Sequence, residues 1–506
     1  MKHFYLIIIL CATITYNSVS QTKSSKRGIA YSLTNTADLN VLAPGISWFY
    51  NWAQAPNAVV KPLLSSKNVE FVPMIWNGNQ TSITVANSYC ASNPDNRYLL
   101  GFNEPNFPDQ ANMTPSVAAA FWPKLEQLAT TYNLKLIAPV TNYSAGIYDV
   151  KYGKVMYQDP YSYLDTFFSI CPSCKVDYIA VHWYGHGGLE TVVNTMWNKY
   201  KKPIWVTEFA SWDNSIPKMT LQLEKEFMLK YVDWLENNPN VMRYAWFTGR
   251  ATNNDYIDIL GSSGKLTELG ELYLKMPVHD TAYYQTIPAR IESENYSVMS
   301  GILLQTSTDV DGVFNVSSIE PKDYLDYYIE VPENKSYPIK VRYSATKTTQ
   351  FSIREGETVL TNVSLSSTGS STIWSTKEIA LDLTAGKHKI RFFAMNTGFI
   401  LNWAEFGEVA TSIDKIELNQ DFRIINNPVD DGILRIITVS DTQNDIEAKF
   451  ELFDISGRLV LAKNISINPD SEIQIFINEN GLAKAGLYLA RITSATTFFS
   501  SKIEVK

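Results

Sequence analysis

The sequence has little cysteine, fewer basic than acidic residues, and no long apolar run beyond its N-terminus. Its 506 residues include four Cys, and 43 Lys and Arg stand against 51 Asp and Glu, which gives a net charge of −8. The acidic balance argues against nucleic acid as the main partner. No later segment has about eighteen uninterrupted apolar residues, which argues against a membrane-spanning helix.

The few cysteines also restrict the metal and redox chemistry that the chain can support. Cys90, Cys171 and Cys174 remain once the N-terminal segment is removed. The spacing of Cys171 and Cys174 is typical of a local disulfide or of a redox motif. Two cysteines without further ligands nearby make a poor zinc site. We therefore expect Cys171 and Cys174 to form a structural disulfide, and the pairing of Cys90 stays open.

The N-terminus has the order of a signal peptide. Lys2 precedes a mostly apolar run over 4–14, and small or polar residues follow up to Ser20. A basic start, a short apolar stretch and a small-residue exit predict cleavage near Ser20, so residues 1–20 are interpreted as a signal peptide. The alternative is a membrane anchor, for which the run is short. We expect the mature protein to be exported and soluble.

Residues 26–277 alternate between strand and helix patterns eight times. Several of the strands are nearly continuous apolar runs, which is typical of a parallel sheet buried on both faces. Eight such repeats in about 250 residues predict an α/β fold of the (β/α)8 TIM barrel type, with its chemistry at the C-terminal ends of the strands. The predicted strands are 28–32, 46–52, 69–76, 98–103, 134–140, 176–184, 204–209 and 242–247, and predicted helices include 116–131, 189–200 and 218–236.

The pattern of predicted secondary structure changes after residue 277. Short alternating strands separated by turn residues fill 284–409, without helical periodicity, which predicts a β-sandwich of the jelly-roll kind. A second all-β segment over 418–506 predicts a small C-terminal sandwich domain. The chain is therefore expected to contain a barrel and two β-domains.

Two glutamates end strands of the predicted barrel. Glu104 follows the fourth strand and Glu208 lies at the end of the seventh, so both carboxylates are expected at one cleft. Glycoside hydrolysis needs one carboxyl group to protonate the departing oxygen and a second to attack the anomeric carbon, at a separation of about 5–5.5 Å in retaining enzymes. Asn103, beside Glu104, is predicted to bind a sugar hydroxyl. Because pleating sends Asn103 and Glu104 to opposite faces, the strand must end irregularly there.

The strand-end motifs resemble glycoside hydrolase family 128, whose members are β-1,3-glucanases. The resemblance covers the barrel and depends on Gly101-Phe102-Asn103-Glu104-Pro105-Asn106, Val181-His182-Trp183-Tyr184 and Trp205-Val206-Thr207-Glu208-Phe209. It implies that Glu104 is the acid/base and Glu208 the nucleophile.

Further residues near the strand ends are candidates for substrate binding. His182 is interpreted as a hydroxyl-binding or carboxylate-orienting residue, although a structural histidine satisfied by a backbone carbonyl is the alternative. Strand-end tryptophans offer flat apolar faces to pyranose rings, and we expect about half of them to contact substrate. The predicted substrate-binding side chains are Asn103, His182, Trp183, Tyr184, Trp76, Trp212 and Trp246.

Residues 291–296 (Ile-Glu-Ser-Glu-Asn-Tyr) open the segment 284–409, and residues 401–406 (Leu-Asn-Trp-Ala-Glu-Phe) close it. This pair resembles the two ends of a family 6 carbohydrate-binding module. That resemblance implies a structural Ca²⁺ held by Glu292 and Glu294, for which the alternative is an acidic edge strand. It also implies sugar stacking on Trp374 and a hydrogen bond from Asn402. The opposite wall of the cleft usually carries an aromatic residue, whereas this chain has Ser318, so weak binding or a displaced site is expected.

The tail resembles the C-terminal sorting domain of type IX secretion in Bacteroidetes, through the segments 426–429, 453–460 and 485–491. It implies export through the outer membrane by the type IX machinery, with secretion or surface attachment, whereas a stabilising terminal sandwich is the alternative. The chain is thus predicted to be a monomeric, retaining, endo-acting β-1,3-glucanase of laminarin-like polysaccharides without a catalytic cofactor. The alternatives are action on another β-glycan and a catalytically inactive glycan-binding adhesin.

Overall fold

The structure is a computed structural model that describes residues 23–212, 219–252, 255–310, 312–407, 422–438, 446–454, 459–467, 472–478, 485–493 and 498–506. The predicted signal peptide lies outside the described residues, as do 418–421 and 455–458 of the predicted sorting domain. Among the described residues, no helix is long and apolar enough to cross a membrane. The chain forms two compact units, which divide between Val409 and Ala410.

The first part of the first unit alternates strands with helices. The strands are β1 (Arg27–Ala30), β2 (Trp48–Tyr50), β3 (Glu70–Phe71), β4 (Tyr98–Leu100), β5 (Lys135–Ile137), β6 (Ile147–Asp149), β7 (Lys154–Met156), β8 (Ile179–Trp183), β9 (Ile204–Phe209) and β10 (Val241–Trp246). The helices are α1 (Thr36–Leu42), α2 (Gln80–Ala91), α3 (Pro115–Tyr132), α4 (Pro160–Ile170), α5 (Leu189–Tyr200), α6 (Leu221–Asn237) and α7 (Glu268–Lys275).

The parallel strands form one six-stranded sheet, in the order β3-β2-β1-β10-β9-β8, and a separate pair, β4-β5. Single parallel bridges, rather than continuous ladders, join these two arcs, from Met74 to Leu100 and from Ile137 to Tyr178. The closed eight-stranded barrel predicted from the sequence is therefore present only in part. Pro73 and Pro139 follow β3 and β5, and a proline has no N–H to extend a ladder.

A short antiparallel hairpin, β6 paired with β7, lies between β5 and α4. The sequence pattern did not predict it, because each of its strands has three residues. Its base lies beside the residues that follow the strands β4 and β5, as described below.

The second part of the first unit is all-β. Its strands are β11 (Gln285–Thr286), β12 (Ala289–Glu292), β13 (Val298–Ser300), β14 (Leu303–Thr306), β15 (Phe314–Ser317), β16 (Tyr324–Val331), β17 (Lys335–Ala345), β18 (Thr349–Glu355), β19 (Thr358–Leu365), β20 (Ser375–Leu383), β21 (Gly386–Ala394) and β22 (Phe399–Phe406). One sheet has the order β11-β16-β21-β18-β19 with β13 on β16, and the other β14-β15-β22-β17-β20 with β12 on β22. Aromatic contacts such as Tyr327 with Phe406 join the two sheets.

A buried polar cluster joins this β-region to helix α6. Asp233 on α6 accepts hydrogen bonds from the Tyr296 hydroxyl and from Nε2 of His279, at 3.0 Å for the latter. The rings of His279 and Tyr296 are stacked, with their centroids 4.1 Å apart. Asn237 donates to the same hydroxyl at 3.1 Å. Because one continuous hydrophobic core also runs through both regions, they share their packing.

The second unit contains β23 (Phe422–Ile424), β24 (Ile433–Thr438), β25 (Ile446–Asp454), β26 (Leu459–Ile467), β27 (Glu472–Phe476), β28 (Gly486–Thr493) and β29 (Phe498–Val505). They form a sheet β23-β24-β27 and a sheet β26-β25-β28-β29. The two sheets contribute to one hydrophobic core of their own, which includes Leu434, Phe450 and Ile492.

The cysteines follow the prediction for the closely spaced pair. Cys171 and Cys174 form a disulfide, which confirms the expected structural link after α4. Cys90 is a buried free thiol, and the Asn96 amide contacts its sulfur at 3.6 Å.

Candidate active site

Glu104 and Glu208 both approach the same nitrogen of one buried imidazole. Nδ1 of His182 is 2.9 Å from Oε1 of Glu104 and 3.3 Å from Oε2 of Glu208. One oxygen of each carboxylate and one His182 nitrogen all lie within 4.8 Å of one another. All three side chains are almost fully buried. Glu104 and Glu208 are 104 positions apart in the sequence, and the fold brings their carboxylates to the same histidine.

The local backbone explains how Glu104 reaches the site. Asn103 forms an isolated parallel bridge with Val140, and Glu104 then adopts a left-handed backbone conformation with φ +40°. A positive φ in a non-glycine residue interrupts the alternation of a strand. Asn103 turns its amide to Gln110 at 3.2 Å, while Glu104 turns toward His182. The irregular strand end that the pleating argument requires is thus present.

Glu208 is surrounded by hydrogen-bond donors at the ends of β2 and β8, which lie on either side of it across the sheet. Its Oε1 accepts from the Tyr50 hydroxyl at 2.6 Å and from the Trp52 indole at 2.7 Å, and its Oε2 accepts from the Tyr184 hydroxyl. An ionised carboxylate is an acceptor only, so this set of donors matches it. Glu104 has fewer donors, which are Asn142 at 3.1 Å and His182. The two acids therefore occupy different environments.

Protonation states follow from burial and from the two carboxylates. Burial, and next the charge of Glu208, raise the pKa of Tyr50 and of Tyr184 well above the usual phenol range, so both hydroxyls remain donors. Burial lowers the pKa of His182, but the charge of Glu208 and the hydrogen bond and charge of Glu104 outweigh it and raise that pKa above its usual range. A proton on Nδ1 is therefore held between the two acids.

The other predicted residues take several positions. Trp183 and Tyr184 are half-buried beside His182, and Trp76 is half-buried at the turn that follows the Met74 bridge. Trp212 is half-buried and packs on Tyr184 and Phe247, with ring centroids 6.2 and 6.1 Å apart.

The prediction that Trp246 contacts substrate is wrong. Its side chain is fully buried, its indole N–H donates to the carbonyl of Ile257 at 2.8 Å, and it packs on Phe209 and Phe227. Trp246 therefore belongs to the packing between sheet and helices. Alternation along β10 turns this residue away from the strand-end cleft.

Two residues at the site, Tyr50 and Asn142, were not predicted, and Trp52 was predicted as a strand-end tryptophan but not as a donor to Glu208. Tyr50 and Trp52 alternate across one residue at the end of β2, and this spacing was the available signal for a shared face. Asn142, which donates to Glu104, follows β5 without any motif that marks it. Donor roles of this kind depend on the pairing between strands and not on local sequence.

Glu104, His182 and Glu208 are also the group of possible metal ligands that the described residues contain. Nδ1 of His182 contacts both carboxylates at hydrogen-bond distance, which is the arrangement of a shared proton. The expectation of catalysis without a metal or organic cofactor stays a prediction.

Trp374 and Asn402, the residues of the β-region that were expected to bind sugar, differ in their exposure. Trp374 is half-buried, and its indole donates to Thr308 at 3.2 Å. Asn402 is fully buried and donates to Asp309 at 2.9 Å, so the prediction that it contacts a surface sugar is wrong for this arrangement. The cause is the loop that contains Gly312, which lies against the amide. Ser318 is exposed and supplies no aromatic wall.

The two glutamates expected to bind Ca²⁺ differ in their fit to a cation. Glu294 is buried, its Oε2 has no hydrogen-bond partner among the described residues, and burial raises its pKa to about 8. A buried carboxylate with one oxygen left without a partner fits a hard cation. Glu292 instead forms an ion pair with Arg290 at 2.8 Å. The fit is therefore good for Glu294 and incomplete for Glu292.

Comparison with known families divides the chain into three parts. A family described as the glycosyl hydrolase catalytic core matches residues 28–273, the family 6 carbohydrate-binding module matches 292–408, and a secretion system C-terminal sorting domain matches 425–506. A curated relative, alkali-sensitive linkage protein 1 of Schizosaccharomyces pombe, is 31% identical over 265 residues, which are 50% of this chain. The chain spans 44% of that relative's length.

Two solved structures are similar over the catalytic part. The GH128 (subgroup II) endo-β-1,3-glucanase of Pseudomonas viridiflava is 40% identical, covers 51% of this chain and 100% of its own, and has a TM-score of 0.47. The corresponding enzyme of Sorangium cellulosum is 39% identical, covers 50% of this chain and 100% of its own, and has a TM-score of 0.46. Because the 40% sequence identity extends over the full length of such an enzyme, the chain belongs to glycoside hydrolase family 128, and a family 6 carbohydrate-binding module and a secretion sorting domain follow its catalytic part.

Proposed function

We propose that this protein is a retaining, endo-acting β-1,3-glucanase that hydrolyses laminarin-like polysaccharides in a (β/α)8 barrel. The observation that carries the proposal is the approach of Glu104 and Glu208 to within 4.8 Å at one buried histidine. Retaining glycosidases have their carboxyl groups about 5–5.5 Å apart, whereas inverting enzymes leave about 6.5–9.5 Å for a water molecule. The endo-β-1,3-glucanases at 40% and 39% identity support the linkage and the mode of action.

The proposed reaction has two displacements. Glu208 attacks the anomeric carbon while Glu104 gives its proton to the departing glycosidic oxygen, so a glycosyl–enzyme ester forms as the glycosidic bond breaks. Glu104, now ionised, takes a proton from a water molecule that attacks the same carbon, which releases Glu208 and a sugar of the original anomeric configuration. Tyr50, Trp52 and Tyr184 hold the Glu208 carboxylate in position for the attack.

The first test is the release of reducing ends from laminarin, barley mixed-linkage glucan and cellulose, followed by proton NMR of the first anomer formed. We expect cleavage of laminarin with retention of the β-configuration. Glu104→Gln is expected to lower kcat by roughly 10²–10⁴-fold. A substrate with an activated aryl leaving group should restore much of that loss, because its departure needs no proton, whereas Glu208→Gln should stay inactive on both substrates.

The matched control is Glu226→Gln, an exposed glutamate on α6, which should retain full activity. An α-anomer as the first product would contradict the retaining mechanism. Preferential cleavage of another polysaccharide would favour action on a different β-glycan. Binding without release from any of the three would favour the adhesin.

The remaining parts of the proposal concern export and calcium. The sorting domain supports secretion or surface attachment through the type IX machinery, with the signal peptide removed near Ser20. In the carbohydrate-binding module, Glu294 would hold a structural Ca²⁺, and the ion would neutralise its buried charge. We propose that the mature protein is a monomer.

A further inference from the structure

The β6–β7 hairpin exposes a group of apolar side chains that no part of the proposed reaction uses. Tyr148, Val150, Tyr152 and Val155 have exposed fractions of 61, 82, 47 and 51%. Tyr148 and Val155 are paired across the two strands, so their side chains lie on the same face. Single exposed apolar residues are ordinary, but a contiguous group within eight residues marks a binding surface. This group is called the hairpin platform below.

The hairpin is held in one conformation by its own hydrogen bonds. The Asp149 carboxylate accepts from the Tyr157 hydroxyl at 2.8 Å and from the backbone N–H of Lys151 at 2.9 Å. The Asp149 carbonyl accepts from the N–H groups of Tyr152 and Gly153. A surface that is already ordered loses little conformational freedom when a ligand binds.

The base of the hairpin is bonded to the loop that contains Glu104. Asn106, two residues after Glu104, is fully buried and donates to the carbonyl of Asn142, the hydroxyl of Ser144 and the carbonyl of Tyr157, at 2.7, 3.2 and 3.1 Å. The Ser144 hydroxyl donates in return to the carbonyl of Asn106 at 2.8 Å. Both ends of the hairpin segment are therefore fixed relative to the catalytic loop.

Two further aromatic residues lie close to the base of the hairpin. Asn142 donates to Glu104, and the next residue, Tyr143, is 47% exposed. The Tyr143 ring meets the Trp183 ring edge to face, with centroids 5.9 Å apart, and Trp183 follows His182. Tyr143 thus follows the residue that donates to Glu104 and precedes the segment that forms the hairpin.

From the bonds that fix the hairpin to the Glu104 loop we infer that the hairpin platform is a distal subsite, which binds the part of a β-1,3-glucan chain that extends out of the cleft. The inference rests on the proposed function. Tyrosine rings stack on the C–H-rich faces of pyranoses, and their hydroxyls stay available for the sugar's own hydroxyl groups. The platform gives the enzyme a preference for long chains over short oligosaccharides.

A second copy of the chain is the other occupant that this surface can have. Two tyrosines and two valines expose an area well below the roughly 800 Å² per partner of a stable protein interface. The platform is therefore better suited to a narrow polysaccharide chain than to a protein surface.

The test compares the wild type with the double variant Tyr148→Ala/Tyr152→Ala on curdlan, a long β-1,3-glucan, and on laminaritetraose. We expect kcat/KM on curdlan to fall about tenfold, since each stacked ring contributes a severalfold effect. On laminaritetraose kcat/KM should stay within about twofold of the wild type, which also shows that the variant is folded. Tyr283→Ala, an exposed tyrosine in the segment after α7, is the matched control and should behave as the wild type on both substrates.

The outcomes separate the two proposals. A wild-type protein without activity on either β-1,3-glucan overturns the proposed function and this subsite with it. An active wild type with an unchanged curdlan-to-tetraose ratio in the double variant overturns the subsite alone, as does an equal loss on both substrates. A dimer that the double variant converts to monomer, in analytical ultracentrifugation, assigns the surface to a second copy instead.

Discussion

At the scale of single residues, the two acids of the site differ in the hydrogen-bond donors that surround them. Glu208 receives three donors from aromatic side chains, whereas Glu104 receives one amide and one imidazole. A nucleophile has to stay ionised and in place, and an acid/base has to exchange its proton. The surroundings of each glutamate therefore agree with the role that the proposed mechanism gives it.

A third buried acid, Glu224, is bonded to the segment that follows the strand of Glu208. Glu224 on α6 is fully buried and accepts a hydrogen bond from the backbone N–H of Ser211 at 2.9 Å. Burial raises its pKa to about 8, although the bond from Ser211 opposes the shift. Ser211 precedes Trp212, so the state of Glu224 bears on the segment that carries this tryptophan.

The raised pKa of Glu224 predicts a pH-dependent stability. The folded protein keeps the proton up to about pH 8, whereas the unfolded chain releases it near 4.5, so this contribution is fully present below pH 4.5 and is lost as the pH rises through 8. Glu224→Gln keeps an acceptor for Ser211 but cannot ionise. We expect the free energy of unfolding of the variant, relative to the wild type, to increase by on the order of 4 kcal/mol between pH 4.5 and 8.

Urea unfolding at several pH values measures this difference. Glu226→Gln, on the exposed side of the same helix, serves as the control and should follow the wild type at every pH. Parallel curves for Glu224→Gln and the wild type would show that Glu224 is not protonated in the folded protein.

Sequence reasoning about single residues succeeded where a strand end limits the choice. Glu104 and Glu208 were expected at one cleft because parallel strands end at the same edge, and the structure brings them together. Tyr50 and Trp52 were missed as ligands of Glu208, because their contact depends on the pairing of β2 with its neighbours. Trp246 shows the opposite error, since its position near a strand end gave no information about which face it occupies.

At the scale of elements, helix α6 carries the joint between the catalytic part and the carbohydrate-binding module. Asp233 is buried, with 3% of its surface exposed, and accepts hydrogen bonds from both Tyr296 and His279. Removing one partner from a buried polar group leaves the other incompletely satisfied.

Tyr296→Phe is therefore expected to lower the free energy of unfolding by about 1–3 kcal/mol. The variant deletes one hydroxyl, which donates to Asp233 and accepts from Asn237, and changes little else. Chemical denaturation followed by tryptophan fluorescence measures the loss. Tyr283→Phe removes an exposed hydroxyl and should have almost no effect, whereas equal stability of both variants would contradict a stabilising joint.

Elements were predicted best where their pattern is long. Helix α5 (Leu189–Tyr200) has the predicted bounds, and α6 begins three residues later than predicted, after the N-cap Thr220. The strands β3 and β5 are shorter than their apolar runs, because Pro73 and Pro139 interrupt pairing. The β6–β7 hairpin was missed because three residues are too few for an alternating pattern to stand out.

At the scale of the whole molecule, the catalytic part and the module belong to one compact unit with one continuous core. A ligand that binds the folded unit and not the unfolded chain stabilises all of it. Calcium at Glu294 is therefore expected to protect the catalytic part as well, although the two sites lie in different sequence segments.

We expect EDTA to lower the temperature of thermal inactivation at pH 8, and excess Ca²⁺ to restore it. At 100 times its dissociation constant, a bound ion contributes about 2.7 kcal/mol. Without the ion, Glu294 has a pKa of about 8, so ionising it costs free energy as the pH rises from 4.5 to that value. Residual activity after heating, with and without EDTA, gives the measurement.

Glu294→Gln should abolish the response to calcium, while Glu333→Gln, an exposed glutamate of the same module, should retain it. If neither EDTA nor Ca²⁺ changes the inactivation temperature of the wild type, Glu294 does not bind calcium and is a buried neutral acid.

The order of the three domains was visible in the sequence, because each has its own strand and helix pattern. The packing of the catalytic part on the module was not, since it depends on side chains such as Asp233 and Tyr296 that are 63 positions apart and belong to no motif.

The bonds from Asn106 to both ends of the hairpin segment have a thermodynamic consequence. Suppose that a sugar on the hairpin platform shifts the Glu104 loop and thereby tightens binding in the cleft by some factor. Reciprocity then requires that an occupied cleft tighten the platform's hold on the chain by the same factor. Release of the shortened product from the cleft then also weakens distal binding of the polymer, so that the enzyme returns to solution more readily after each cut, as an endo-acting enzyme does.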